Sequence, residues 1–296
     1  MKKSLVILIV LVSLFCFVGT ASAAEFLGLW TDFWNYGAFR STSFERNSFS
    51  TTLLRSEGKV GVNLIPVWGD TFLSPYVVYS AYFSPDPNYW NNVIYSGYGI
   101  RLKPFASAEH KTFISEIKVF FETMRASYIK DEVSAMTANR SMEDTLYGLD
   151  LYYEWNQPQF AGDTHTDFGV PWGELWTNLA FRQTNFYQDD FNSYLYRLEP
   201  KFGLYVGASD KNPPWIEPYL AGEFVMSGRN YSWLNRAAYG VGLRVQPFRY
   251  VDMTMQPWMF KFKMFVEGWG VSYFKAQPTN NVNTDIRLGI LFTVGR

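Results

Sequence analysis

The chain has 296 residues, and its 26 Lys and Arg against 27 Asp and Glu give a formal net charge of −1. That balance offers no basic surplus to neutralise phosphates, which argues against a nucleic-acid partner. One cysteine, Cys16, and two histidines, His110 and His165, leave no disulfide framework and little for metal or nucleophile chemistry, so neither an enzyme nor a bound metal or cofactor is expected.

Lys2 and Lys3 precede the apolar run Leu5 to Val18, and Ala21-Ser22-Ala23 supplies a small-residue cleavage site, so residues 1–23 read as a secretory signal peptide that contains Cys16. Residues 24–296 are expected to form a single domain. They hold no apolar run long enough for a membrane helix, so only a barrel would make them integral to a membrane. The segment from Leu54 to Leu64 sets the pattern: Leu54, Ser56, Gly58, Val60, Val62 and Leu64 alternate with Arg55, Glu57, Lys59, Gly61 and Asn63. This is the period of a strand.

Strands are predicted near 32–42, 53–65, 73–83, 93–104, 113–124, 144–155, 173–184, 193–206, 216–226, 236–247, 259–273 and 284–295. The expected fold is all-β, a twelve-stranded antiparallel transmembrane up-and-down barrel of the bacterial outer membrane. Apolar residues would meet outer-membrane lipid and polar residues the lumen, and the 19% aromatic content suits the interfacial girdles of such a barrel. Residues 156–171 would be a periplasmic connector and 125–143 the longest external loop. In the last strand Ile286, Leu288, Ile290, Phe292 and Val294 share one face, which resembles the closing strand of outer-membrane proteins, although the chain ends in Gly295-Arg296 rather than an aromatic.

The twelve strands read as two six-strand repeats, about 32–155 and 173–295. Ala38-Phe39-Arg40 returns as Ala180-Phe181-Arg182 at an offset of 142, and Gly97, Gly99, Arg101, Pro104, Phe105 as Gly240, Gly242, Arg244, Pro247, Phe248 at 143. Eight charges keep their sign between the copies: Asp32/Glu174, Arg40/Arg182, Arg55/Arg197, Glu57/Glu199, Lys59/Lys201, Arg101/Arg244, Lys118/Lys263 and Glu122/Glu267. Parity places all of them in the lumen, together with Trp34, Trp176, Glu217 and Glu223. Tyr36, Tyr76, Tyr95, Tyr152, Tyr219 and Trp269 face the same way, able to stack on sugar faces or simply to fill space. Such a crowded, nearly neutral interior is either a filled charge lattice or a conduit offering donors and acceptors to a solute. Glu217 and Glu223 replace Ser74 and Ser80 of the first copy, which suggests the wall of strands nine to eleven as the working face. Glu223 is expected across from Arg244, and Arg101 near Ser80.

Gly240, Gly242, Arg244, Pro247 and Phe248, then Pro257-Trp258, then Phe262, Lys263, Phe265 and Glu267 resemble the C-terminal barrel modules of exopolysaccharide secretion proteins and of phage adsorption protein A. Those proteins carry helical repeats ahead of the barrel. The resemblance implies an export or surface-recognition role, a polysaccharide partner and a periplasmic partner protein in place of the missing repeats. The expected function is passage of a polar, saccharide-like solute or polymer. The alternative is a sealed barrel serving as a structural element, a partner dock or a phage attachment site.

Overall fold

The computed structural model describes residues 28–42, 49–68, 71–85, 92–105, 113–129, 142–155, 169–185, 191–207, 216–231, 234–248, 262–275 and 284–294. The segment expected as a signal peptide, both histidines, Pro257-Trp258 and most of the expected 156–171 connector lie outside these residues. Among the described residues the strands are β1 (Leu29–Thr42), β2 (Phe49–Val62), β3 (Ile65–Trp68), β4 (Thr71–Phe83), β5 (Val93–Leu102), β6 (Ile117–Tyr128) and β7 (Glu143–Trp155). They continue as β8 (Val170–Thr184), β9 (Phe191–Tyr205), β10 (Ile216–Ser227), β11 (Arg236–Val245), β12 (Phe262–Tyr273) and β13 (Thr284–Val294).

All pairings are antiparallel, and the ring closes where Phe33 of β1 meets Val294 of β13. β2 and β3 share one stave. Gly61 opposes Tyr76 of β4 but Ile65 opposes Leu73, so one extra residue bulges out between the two segments. The ring is thus a closed twelve-stave antiparallel barrel. With an even number of staves the chain enters at Leu29 and leaves at Val294 on one rim, called the entry rim below.

Several predicted boundaries move: β1 begins at Leu29 rather than 32 and β2 at Phe49 rather than 53. Ile114–Glu116 form a 3-10 turn, which delays the fifth strand to Ile117 and extends it to Tyr128, so Arg125 to Tyr128 belong to the wall rather than to the long loop. Val170 and Pro171, read as connector, begin β8.

The outer face is apolar from strand to strand: Phe39, Leu54, Val77, Tyr98, Phe121, Leu149, Leu179, Phe202, Leu220, Val241, Val266 and Leu288 are all exposed. Water penalises such a continuous belt, and hydrocarbon does not. Val77, 61% exposed at the middle of β4, gives a direct check. Val77→Arg is expected to lower folding stability in lipid vesicles by about 2–4 kcal/mol in a urea titration. A neutral result would remove Val77 from the lipid face.

Candidate functional site: the charged lumen

On the opposite parity the charged side chains pair with one another, and the contacts differ from stave to stave. Arg40 binds both carboxylate oxygens of Asp285, at 3.0 and 2.9 Å through Nε, and Arg287 Nε adds a 2.7 Å bond to the same side chain. Half a ring away, Arg182 grips Asp144 in the same way, at 2.8 and 2.6 Å. The Asp285 clasp spans the closing seam β13–β1 and the Asp144 clasp the junction β7–β8.

A second arrangement explains why glycines recur at matched positions. The Tyr76 hydroxyl donates to Glu122 at 2.7 Å, reaching from β4 across β5 to β6. It crosses at Gly99, where a Cβ would stand 2.6 Å from the tyrosine ring. Tyr219 crosses Gly242 to reach Glu267 at 2.5 Å in the same fashion. At the far rim Asn92 Oδ1 accepts from the Ser84 amide and Asn235 Oδ1 from the Ser227 amide, at 3.2 and 3.1 Å. At the entry rim Arg101 lies over the Trp30 ring as Arg244 lies over Trp172.

The halves then diverge. In the second, Arg244 pairs with Glu174 at 2.7 and 3.1 Å and comes within 3.7 Å of Glu217. Glu217 also accepts from Lys263 at 3.1 Å and from Gln246 at 2.5 Å. Arg244 is 1% exposed and Glu217 0%, so this cluster is packed shut beside Trp172 and Tyr219. The wall expected to work as a conduit is the filled one. Glu223 does not face Arg244: the β10–β11 register sets Glu217 opposite Arg244 and leaves Glu223 to bond Arg236 diagonally, at 2.5 Å. Likewise Arg101 faces Ser74, not Ser80.

The first half borders a cavity of about 340 Å³, lined by its Asp32, Arg55, Glu57, Lys59, Arg101, Lys118, Glu122, Asp144, Asp150, Tyr76, Tyr82 and Tyr95 and by Trp176, Arg182 and Arg197 of the second half. Arg55 bonds Glu57 at 2.5 Å, yet both side chains keep nearly a third of their surface accessible, 30% and 31%. Lys59 pairs with Glu122, and Lys118 stands 3.9 Å from Asp150, whose other partner is the Trp176 indole at 2.9 Å. Arg55 is further held between Trp34 and Tyr82, 5.1 and 4.9 Å from the ring centroids. Across the lumen Lys201 points over the Tyr219 ring at 5.7 Å, and Glu199 sits between Arg197 and Lys201 on the same inner row of β9.

Trp30, Trp172, Gln246 and Asp144 were missed as site residues. Trp30 and Trp172 fall just ahead of the predicted strand starts, yet their spacing of 142 equals that of Arg40 and Arg182.

No protein-family model matches the sequence, and no curated protein matches it either. Among solved structures the chain is similar to the beta domain of the Bordetella autotransporter BrkA, at 9% identity with a TM-score of 0.35, covering 90% of this chain and 99% of that one. It is also similar to Salmonella typhi OmpF, at 8% identity and 0.33, covering 90% of this chain and 97% of that one. A third is the Pseudomonas aeruginosa outer-membrane protein OpdK, at 8% and 0.27, covering 90% and 98%. Likenesses at these scores carry no functional weight. The fold rests on the strand pairing and the lipid-facing belt.

Proposed function

We propose that this is an outer-membrane barrel giving passage to a polar, saccharide-like solute along its first-half wall. The observation that carries the reading is a contrast within the lumen: Glu217 and Arg244 are packed to near-zero exposure, while Arg55, Glu57 and Lys59 line a cavity. A barrel filled for stability alone has no reason to keep Arg55, Glu57 and Lys59 accessible to water. Interleaved acids, bases, tyrosines and Trp176 present both donors and acceptors, which suits a polyhydroxylated solute better than a simple inorganic ion. The resemblance of the region from Gly240 onward to exopolysaccharide secretion barrels supports a saccharide and a periplasmic partner chain. The lumen wall and the even ring support an outer-membrane setting with both chain ends on the periplasmic side.

Planar-bilayer recording tests it. The wild type is expected to conduct, and Ser80→Trp, which places a large ring in the cavity wall, to lower conductance severalfold. A silent wild type would overturn passage in favour of a sealed structural or docking barrel.

A further inference from the structure

The two halves place the same groups around one position at the entry rim and fill it differently. In the second half that position is Glu217, opposite Arg244 in the ladder, with Lys263 and Gln246 on its carboxylate. In the first half the matched residues are Ser74, Arg101, Lys118 and Lys103. Ser74 opposes Arg101 as Glu217 opposes Arg244. Its hydroxyl is turned to Asn63, to which it donates at 2.6 Å.

Removing one carboxylate while keeping its cations leaves a charge deficit. Lys103 recovers a partner in Glu116 at 2.9 Å, and Lys118 a distant one in Asp150 at 3.9 Å. Arg101 recovers none. Glu174, which grips Arg244, is matched by Asp32, one methylene shorter, which acts on the Arg101 guanidinium without forming an ion pair among the described residues. Instead Arg101 lies over Trp30 and, with Lys118, borders the cavity.

We propose that this corner of the cavity is a binding site for a carboxylate-bearing solute, whose carboxylate takes between Arg101 and Lys118 the place that Glu217 holds in the other half. A guanidinium with unused N–H donors, an ammonium beside it and an aromatic plane behind it form a charge-assisted carboxylate receptor. The site deepens the passage reading by selecting acidic saccharides or organic acids, and it requires only that solute reach the cavity.

Propionate is the free form of a glutamate side-chain end and serves as the probe. In detergent-solubilised, folded protein, saturation-transfer NMR is expected to detect saturable propionate binding that chloride at equal ionic strength does not reproduce. Ser74→Glu supplies the carboxylate from the wall and is expected to abolish it, while Arg101→Gln weakens it about tenfold or more. If Arg101→Gln does not fold, Lys118→Gln takes its place with the same expected direction. No saturable signal in the wild type, or equal binding in Ser74→Glu, overturns the site. Because binding is read without a membrane, a barrel that conducts but ignores propionate loses this site alone. One that binds propionate but never conducts loses passage alone.

Discussion

Arg244→Leu is expected to cost about 3–5 kcal/mol of folding stability, because it removes a cation from the fully buried Glu217 and the partner of Glu174 at once. Glu174 loses a bidentate partner and Glu217, 0% exposed, one of its two cations. Reversible urea unfolding in lipid vesicles reads the loss. Arg55→Leu is the internal control: it also removes a guanidinium from a carboxylate, but Glu57 borders the cavity and water replaces the lost partner. Its cost should be about 1 kcal/mol or less. Equal losses in the two variants would mean that the halves do not differ in hydration, and would take away the main support for passage.

Asp285→Ala should be of similar size, about 3–5 kcal/mol, and should exceed Asp144→Ala. Asp285 is 0% exposed and pairs with both Arg40 and Arg287, whereas among the described residues Asp144 pairs with Arg182 alone. The lost carboxylate also lies on the closing seam, where the first strand pairs with the last. Early loss of the heat-resistant folded band in gel electrophoresis, ahead of the Asp144 variant, is the expected sign. Identical melting of the two variants would show that the second guanidinium contributes nothing.

The barrel was legible because lipid and lumen impose opposite demands on alternate residues over the whole chain, so one period repeats from Trp30 to Thr293. Strand ends were less so. Nothing in the apolar pattern distinguishes Trp30 or Trp172, each placed at a rim, from loop aromatics, and the turn at Ile114–Glu116 continues the alternation of the strand it delays. Partner choice was the least legible part. Which side chains meet across a hairpin depends on turn length, and the stretch between Ser227 and Arg236 shifts the ladder so that Glu217, not Glu223, faces Arg244. The same composition therefore suggested a working wall where the register builds a sealed one. Whether Ser74 leaves a gap or merely lightens the wall depends on Arg101, which the register sets opposite Ser74.

The clasp at Arg40 and Asp285 joins strands at opposite ends of the chain, and the clasp at Arg182 and Asp144 joins strands next to each other in it. Chemically the two junctions are the same: a buried aspartate on the last stave of one half and an arginine on the first stave of the next. The ring therefore has no privileged opening. Continuity of the polypeptide between residues 155 and 170 is a property of the covalent chain rather than of the contacts, and a six-stave half laid against a copy of itself would present the same aspartate-to-arginine handshake at both of its edges.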